Sequence, residues 1–356
     1  MDDKNEHPIN EESVDGTPRK GGIINTLYPP GPTGGAKPRI KNHCRKFWWC
    51  DLLLFAVITL IIVLPIIYVA IPNIAQHDIN DSTLEVKEMD VTSPTPDGVH
   101  LKLSNVAKSK SSFHPTIDAF LGGLSLDDNT PFININVPEV KAEAETPIVV
   151  EQDVKFASKD AFIAYNKAVM GSESLDVYLK GKTKVHQSGL QAISIDYNKK
   201  VTMKGLNKLQ GMDVTDLKIL SGTTGPNAVL DDGSNMIGTI YIPNPSVLLL
   251  ELGNVTMNLA VDGTAVGTAL MLDMTLKPGN NTLPMRSTVD QLTILGMVQS
   301  KYKNGVIPLS ISGNSSVVNG QHLEYYEAAI QANTNVINLN VTSALSAIGI
   351  NITSSA

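Results

Sequence analysis

The sequence predicts a mainly β protein with one transmembrane helix, followed by two tandem antiparallel β-sandwich domains that each carry a short helix. Three observations lead to this fold class. Residues 52–71 form a run of twenty residues without a charge. Apolar residues after this run alternate with a period of two, which is typical of strands with one buried face. An internal repeat then divides the strand-rich part into two similar copies.

The charge-free run at residues 52–71 is long enough to cross a bilayer core of about 30 Å. Basic residues crowd residues 37–46, whereas residues 72–91 hold one lysine against five acids. Basic flanks stay in the cytosol, so we expect the span to place residues 1–51 in the cytosol. A cleaved signal peptide is disfavoured because the run is too long and starts late. Pro65 would either kink the helix or be accommodated in it.

The predicted cytosolic tail, residues 1–51, is basic and rich in Gly and Pro, so we expect it to be disordered. Its basic end would favour anionic lipid, and it is a candidate docking site for a cytosolic protein. Cys44 and Cys50, the two cysteines of the chain, flank the membrane and are candidate lipidation sites. The alternative is that both are unmodified thiols.

The remaining residues are predicted to form a first repeat at 80–200, a second at 201–335 and a C-terminal extension at 336–356. This part has no cysteine, so its stability must come from a hydrophobic core. Its Asn-x-Ser/Thr sequences are candidate N-glycosylation sites, at Asn80, Asn254, Asn280, Asn314, Asn340 and Asn351. They agree with the orientation but add little, because a handful is expected by chance.

Alternation predicts the strands. The expected inward residues are Ile133, Ile135 and Val137; Leu175, Val177 and Leu179; and Val255, Met257, Leu259 and Val261. Asp262-Gly263 then predicts a hairpin with a type I′ turn. In the return strand the expected inward residues are Leu270, Leu272, Met274 and Leu276, and Pro278-Gly279 ends it.

Two helices are predicted between the strands. The first covers residues 159–170, with a packing face of Phe162, Ala164, Tyr165, Val169 and Met170. The second follows Thr288, which has capping-box spacing to Gln291, and its expected core face is Leu292, Leu295 and Val298. After each helix comes a similar strand: residues 175–185 align with 307–317 at a constant offset, Gly181 opposite Gly313. Residues 91–103 similarly echo 240–252, each as strand, proline-marked turn and strand.

Residues 240–283 resemble the late-embryogenesis-abundant group-2 domain, also called the water-stress and hypersensitive-response domain. That family has a strand, an Asn-Pro turn, a second strand and a hairpin with a polar turn. Asn244-Pro245 and Asp262-Gly263 stand at those places. The first copy departs from the pattern, with Ser93-Pro94 where Asn-Pro would be.

The wider layout resembles fungal single-span membrane proteins with tandem domains of unknown function, the Tag-type autophagy-related family. Residues 131–147 and 275–290 carry this resemblance most specifically. It implies a β-sandwich with a helix per unit, a vacuolar membrane location and a link to the control of autophagy. The plasma membrane or another endomembrane is the alternative location. The family has no established catalytic residues, so the resemblance supplies none.

The sequence offers no catalytic, cofactor-binding or metal-binding constellation. The histidines after the span are scattered, at His77, His100, His114, His186 and His322, without metal-ligand spacing. The segments Asp127-Asp128-Asn129 and Asp231-Asp232-Gly233 are interpreted as turns rather than calcium loops. Residues 72–356 hold 20 basic against 28 acidic residues, which speaks against a nucleic-acid partner.

Residues 247–252, VLLLEL, form a nearly continuous apolar run beside Pro243 and Pro245. The favoured interpretation is a strand buried on both sides or packed at the seam between the repeats. The alternative is an apolar groove for a lipid tail between the two sandwiches.

Three hypotheses of function follow from the sequence. The preferred one is a non-enzymatic membrane protein whose luminal sandwiches bind a lipid or protein ligand. A stress-protective structural protein and a luminal lipid-modifying enzyme with an unrecognised site are the alternatives.

Overall fold

The structure, a computed structural model, describes residues 23–29, 36–127 and 130–352. The chain divides into two compact units, Met1–Ile71 and Pro72–Ala356. Strands account for 48% of the described residues and helices for 28%. These proportions and one long apolar N-terminal helix confirm the predicted fold class, a mainly β protein with one candidate membrane span.

The helical N-terminal part comprises α1 (Ile23–Leu27), α2 (Ala36–Pro65), a π-helical turn (Ile66–Ala70) and α3 (Ile71–Asp81). Within the described residues, one continuous helix, Arg39–Asp81, is long and apolar enough to cross a membrane. Pro65 is therefore accommodated: its ring removes a backbone donor, and the wider π-helical turn follows directly.

Part of the predicted disordered tail is helical, because α2 begins well before the apolar span. Residues 39–51 contain no Gly or Pro, so nothing in them interrupts the helix that the span continues. Tyr28 stacks on His43 at 4.3 Å, and the His43 Nε2 atom lies 2.9 Å from Asp51 Oδ1. The disorder predicted for residues 1–22 and 30–35 lies outside the described residues.

The second unit contains the strands β1 (Thr83–Thr95), β2 (Gly98–Lys108), β3 (Thr116–Ile117), β4 (Phe120–Ser125), β5 (Ile133–Val137), β6 (Val140–Lys141), β7 (Glu145–Lys155), β8 (Ser174–His186), β9 (Ile193–Lys204), β10 (Asp213–Ile219), β11 (Met236–Asn244), β12 (Leu248–Val261), β13 (Thr264–Leu276), β14 (Gly279–Val289), β15 (Val306–Val318), β16 (Gln321–His322) and β17 (Thr334–Asn340). Its further α-helices are α4 (Lys159–Gly171), α5 (Gln291–Ser300), α6 (Glu324–Gln331) and α7 (Thr342–Ala347).

These strands form two sheets. The larger has the order β10-β11-β14-β13-β12-β1-β2-β7, with β15 attached to β12 and β16 and β17 attached to β15. The smaller has the order β5-β4-β8-β3-β6, with β9 attached to β8. Pairing between the described strands is antiparallel except where β1 runs parallel to β12. Side chains of β10 to β15 and of β17 line a shared apolar core on this sheet.

Most predicted strand faces are confirmed. The alternating residues of β5, β8 and β12 point inward as expected. Asp262 and Gly263 form the hairpin turn, both with positive φ, at 50° and 77°. The Asp262 carboxylate accepts hydrogen bonds from Lys301 Nζ at 2.6 Å and Tyr302 Oη at 2.5 Å, which tie the turn to the end of α5.

The predicted face of the return strand β13 is wrong in its middle. Met271 and Met274 are buried, whereas Leu272 is 49% exposed. Asp273 has a φ of 46°, and the β12–β13 register shifts opposite it. This irregularity adds a residue to the strand, so strict alternation fails across it. Leu270 is half-buried and Leu276 is buried.

Three details of the predicted helices are also wrong. Ala164 is exposed on α4, because the buried positions follow the helical period from Phe162 to Tyr165 and Val169. The N-cap of α5 is Asp290, whose carboxylate accepts from the Thr293 amide at 3.0 Å, rather than Thr288. Val298 is buried as predicted and Leu295 is half-buried, but Leu292 is 81% exposed.

The internal repeat has structural counterparts. Helices α4 and α5 begin 132 residues apart, and so do β8 and β15, which are both 13 residues long. Gly181 and Gly313 occupy equivalent positions in these strands. A Cβ atom at Gly181 would collide with the ring of Phe120, and one at Gly313 would collide with Ile330. The upstream copies differ: β1 and β2 form a hairpin, whereas β14 and β13 lie between β11 and β12 in the sheet.

The connection between the predicted repeats is packed into the fold. The predicted boundary at 200/201 lies inside β9, and strands of both segments join in the larger sheet through the β1–β12 pair. After β9, the amides of Gly205, Leu206 and Asn207 donate to carbonyls at the end of α4, at 2.9, 2.7 and 3.0 Å. Residues 207–209 then make a turn with positive φ. The repeat boundaries as separate domains stay a prediction.

An aromatic cluster joins α4 to α6. Its six rings are those of Phe132, Phe156, Phe162, Tyr165, Tyr325 and Tyr326. Tyr325 is fully buried, with ring centroids at 5.0 Å from Phe162 and 4.5 Å from Tyr326. The Tyr325 hydroxyl donates to the Thr95 carbonyl at 3.1 Å. The cluster therefore ties a helix of the second predicted repeat to the core of the first.

Candidate functional site

The apolar run at 247–252 does not form a groove of its own. Leu248, Leu250 and Leu252 are buried in β12, which pairs with β1 on one side and β13 on the other. The pair with β1 is the parallel one between the two halves. The run therefore lies at the seam between the repeats, as the favoured interpretation predicted.

An apolar cavity of about 190 Å³ lies elsewhere, in the second half of the β unit. Helices α5 and α7 cover one side of it, and the rest of the lining comes from strands β10 to β15 and β17 and from residues that flank α7. The apolar side chains that α5 and α7 contribute are those of Leu292, Ile294, Leu295, Ala344 and Leu345. An engineered apolar cavity of about 150 Å³ stays dry and binds benzene, so this one has room for a small apolar group.

The lining is apolar but for one side chain among the described residues, Gln291. The Gln291 Nε2 atom donates to the carbonyls of Asn235 at 2.9 Å and Leu220 at 3.3 Å, so its amide is already paired with the backbone. The described lining holds no carboxylate, imidazole or thiol. Such a cavity can desolvate a hydrocarbon group and offers no group to react with it.

The wall formed by α5 is thinly packed. Among its residues only Val298 is buried, although the helix is mostly apolar. Leu292 lies in the lining and is nevertheless the most exposed large apolar residue of the described chain. Ile348, also in the lining, is exposed as well. The cavity thus has an apolar rim that reaches the surface. Sequence reasoning missed this site because its wall depends on α7, which was not predicted.

The candidate glycosylation sites lie mostly at the surface of the second unit. Asn80, Asn280, Asn314, Asn340 and Asn351 are exposed. Asn254 is half-buried, and its Oδ1 atom accepts from the Asp273 amide at 3.0 Å, so it is the least accessible of the six. The candidate lipidation sites lie on α2, with Cys44 exposed and Cys50 half-buried. Modification of all these residues stays a prediction.

The histidines of the second unit pair with nearby groups instead of converging. His186 Nε2 lies 2.9 Å from Asp118 Oδ2, and His322 Nδ1 lies 2.5 Å from Glu327 Oε1. Within the described ranges, no group of three His, Cys, Asp or Glu side chains could hold a metal ion. Asp232 lies in a turn, where it accepts from the Ser234 amide at 3.0 Å and pairs with Arg286. Residues 128 and 129 of the other acidic segment lie outside the described chain.

One histidine gives the β unit a pH-dependent contact. The hydrogen bond between His100 Nδ1 and Asp153 Oδ1, at 2.7 Å, raises the pKa of His100 above its usual value. Because the pKa of His100 is higher in the folded chain, the contact stabilises the fold fully below the unfolded pKa of about 6.5. This stabilisation disappears as the pH rises through the pKa of the folded chain.

We expect His100→Gln to lower the melting temperature at about pH 5.5 and to leave it unchanged at about pH 8. Asp153→Asn should lose the same acid-side stability; equal melting shifts at both pH values would contradict the assignment.

A buried lysine holds the end of α3. Lys199 on β9 is 4% exposed, and its Nζ atom donates to the carbonyl oxygens of Ile79, Asn80 and Ser82. Burial lowers the pKa of Lys199 to about 8. A cation suits the negative end of a helix dipole. The side chain of Gln76 adds two bonds to the Asp196 backbone, at 2.8 and 3.0 Å. Nothing in the local sequence pattern distinguishes Lys199 from the other strand lysines.

Several solved structures are distantly similar to this chain. The Escherichia coli chaperone DraB is 9% identical, with 73% of this chain and 98% of that chain covered and a TM-score of 0.20. A Mobiluncus mulieris adhesin is 12% identical, with coverages of 66% and 79% and a TM-score of 0.19. The periplasmic chaperone SfaE is 10% identical, with coverages of 66% and 97% and a TM-score of 0.17.

No curated protein matches the chain in sequence. A family model does match part of it, from the segment before β5 to a position inside β12. This stretch includes the predicted repeat boundary at 200/201. Residues 130–259 of this chain are thus similar to the family described as "Protein of unknown function (DUF3712)".

Proposed function

We propose that the chain is a non-enzymatic, single-pass membrane protein whose β unit accommodates the apolar part of a lipid in the cavity beneath α5 and α7. The N-terminal tail lies in the cytosol and the β unit in a lumen, as the basic flank of the span indicates. The family resemblance favours the vacuolar membrane and a role in the control of autophagy. In this proposal the β unit is a lipid-contacting module, and the tail is a docking site for a cytosolic protein.

The observation that carries the proposal is the chemistry of the cavity. Its volume of about 190 Å³ and its almost wholly apolar lining suit a hydrocarbon group. Ligand sites usually combine an apolar wall with a few polar groups that fix orientation. Here the single polar side chain, Gln291, is occupied by backbone carbonyls. The ligand would therefore be recognised by shape and burial, with its polar end outside the cavity.

The rim supports the same ligand class. Leu292 and Ile348 carry apolar surface from the lining to the exterior. A ligand whose hydrocarbon part lies inside and whose polar part lies outside would cover these side chains on its way in. A lipid has this shape, whereas a fully polar metabolite would leave the cavity wall without a partner.

Native mass spectrometry of the full chain released from phosphatidylcholine nanodiscs tests the proposal. We expect retained lipid on the wild-type chain and about a tenfold loss with Ala344→Trp, because the indole fills the cavity. Ala344 is buried in α7 and lines the cavity.

The matched control is Ala164→Trp, which places the same ring on the exposed face of α4. This variant should retain lipid as the wild type does. Equal lipid retention by the Ala344 variant, or a wild-type chain that releases no lipid across repeated preparations, would rule out the cavity as the lipid site.

A further inference from the structure

The loop between β2 and β3, residues 109–115, presents an aromatic side chain at the surface next to α3. Phe113 is 57% exposed, and Lys110 beside it is also exposed. The Ser111 hydroxyl donates to Asp78 Oδ2 at 2.6 Å, with Asp78 near the end of α3. Phe113 therefore lies two residues from a direct contact with the helix that follows the apolar span.

This loop is held in its shape by its own hydrogen bonds. The amide of Ser111 donates to Ser109 Oγ at 3.2 Å, and the amide of Phe113 donates to Ser111 Oγ at 3.1 Å. At the loop's far end, the Ala142 amide donates to the Pro115 carbonyl at 2.8 Å. The exposure of the Phe113 ring is thus built into an ordered loop, and the unit's own core leaves the ring uncovered.

The short chain between the span and Asp78 limits how far this loop can lie from the membrane. Asp78 follows Ile71, the last residue of the predicted span, by seven residues, or about 10 Å of helix. The headgroup layer on each side of the bilayer core is roughly 5–7 Å thick. Two residues of extended chain reach about 7 Å. A ring two residues from Asp78 can therefore reach the headgroup layer from which α3 emerges.

Two acids close to the loop are paired with other groups. Asp78 accepts from Ser111, and Glu85 pairs with Lys108 at 3.1 Å and with Lys87. These two cations hold the pKa of Glu85 below its usual value. The exposed side chains of the loop are those of Lys110, Ser112, Phe113 and His114. Phe is among the apolar residues that interfacial segments bury at the headgroup boundary, and lysines favour anionic headgroups.

We propose that residues 109–115 rest on the leaflet that α3 leaves, with Phe113 inserted among the headgroups. One phenyl ring is too little to recruit a free protein to a membrane. The span already confines this chain to the surface, so the second contact forms at a high effective concentration and little further entropy is lost. This surface is separate from the lipid cavity and does not depend on it.

Fluorescence quenching in nanodiscs tests the contact with the full chain. The native Trp48 and Trp49 are first replaced by Phe, and Phe113→Trp then supplies a single fluorophore at an exposed site that tolerates the larger ring. In phosphatidylcholine nanodiscs brominated near the headgroup end of the acyl chains, we expect the Phe113→Trp emission to fall at least about twofold relative to plain lipid. A chain that keeps Trp48 as its only tryptophan gives the reference value for an interfacial ring.

Adding Ser111→Ala removes both the Asp78 contact and the bond to the Phe113 amide. Quenching of the tryptophan at position 113 should then fall toward the plain-lipid value. Emission that is equal in brominated and plain nanodiscs, while soluble acrylamide quenches it, would overturn the proposal. Quenching that survives Ser111→Ala unchanged would equally overturn it, because the contact would not depend on the described loop geometry.

Discussion

Replacement of Tyr325 by Ala is expected to lower the free energy of unfolding by about 3–5 kcal/mol, the usual cost of removing a buried aromatic side chain. The Tyr325 ring is fully enclosed by the aromatic cluster, so its removal leaves a cavity that the rigid neighbours cannot fill. Denaturation of the full chain in nanodiscs, followed by tyrosine fluorescence or circular dichroism, measures the change. Tyr325→Phe is the matched control, because it keeps the ring and loses only the bond to the Thr95 carbonyl, a cost of about 1 kcal/mol.

The location of the destabilisation matters as much as its size. Tyr325 belongs to α6 in the second predicted repeat, whereas Phe156 and Phe162 belong to the first. If the repeats are one cooperative structure, hydrogen exchange should accelerate in β8 and β9 as well as in β15 and β17. Faster exchange confined to α6, β15 and β17 would instead indicate two independently stable repeats.

Local sequence rules predict where the individual strands lie, but they do not predict which strands pair with each other in the sheet. Val255 to Val261 alternate, and the Asp262-Gly263 turn has the positive φ values that its residue types favour. Each of these features depends on contacts within a few residues. The parallel pair between Met89–Val91 and Leu248–Leu250 joins segments about 160 residues apart. No periodicity in either strand indicates which partner its edge will meet.

Irregular backbone explains where the strand faces were mispredicted. Strict alternation through β13 placed Leu272 inside, but positive φ at Asp273 changes the register, so Leu272 is exposed. Asp can occupy this region of φ more easily than most residues. A single Asp in an otherwise apolar strand is nevertheless also the ordinary sign of a solvent-facing position. The residue type alone could not separate the two interpretations.

The candidate site was predictable in kind but not in place. The sequence suggested an apolar site at residues 247–252 because that run is nearly continuously apolar and lies beside Pro243 and Pro245. Those residues lie in β12, which pairs with β1 on one side and with β13 on the other. The cavity instead uses α5, whose apolar residues outnumber its buried ones, and α7, which begins after β17. A surplus of apolar residues on a short helix is therefore the signal that could have located it.

Replacement of Gly205 by Ala is the second large effect that we expect, with a loss of about 3 kcal/mol or more in the free energy of unfolding. A Cβ atom at Gly205 would lie 2.3 Å from the Ser172 carbonyl oxygen and 2.8 Å from that of Val169. Both atoms are backbone at the end of α4, so neither can rotate away as a side chain would. The backbone must shift. The hydrogen bonds that the amides of residues 205–207 donate to carbonyls at and just after the end of α4 would then be lost together.

The measurement is again denaturation of the full chain in nanodiscs, with Gly296→Ala as the matched control. Gly296 lies inside α5, where an added Cβ meets nothing within 4 Å. That substitution should stabilise the helix by up to about 1 kcal/mol, because Ala loses less backbone entropy than Gly. Opposite signs for the two changes would show that the connection after β9 is a packed part of the core. If Gly205→Ala were as harmless as Gly296→Ala, residues 205–212 would behave as a linker, and two separate domains divided near 200/201 would become the better description of the chain.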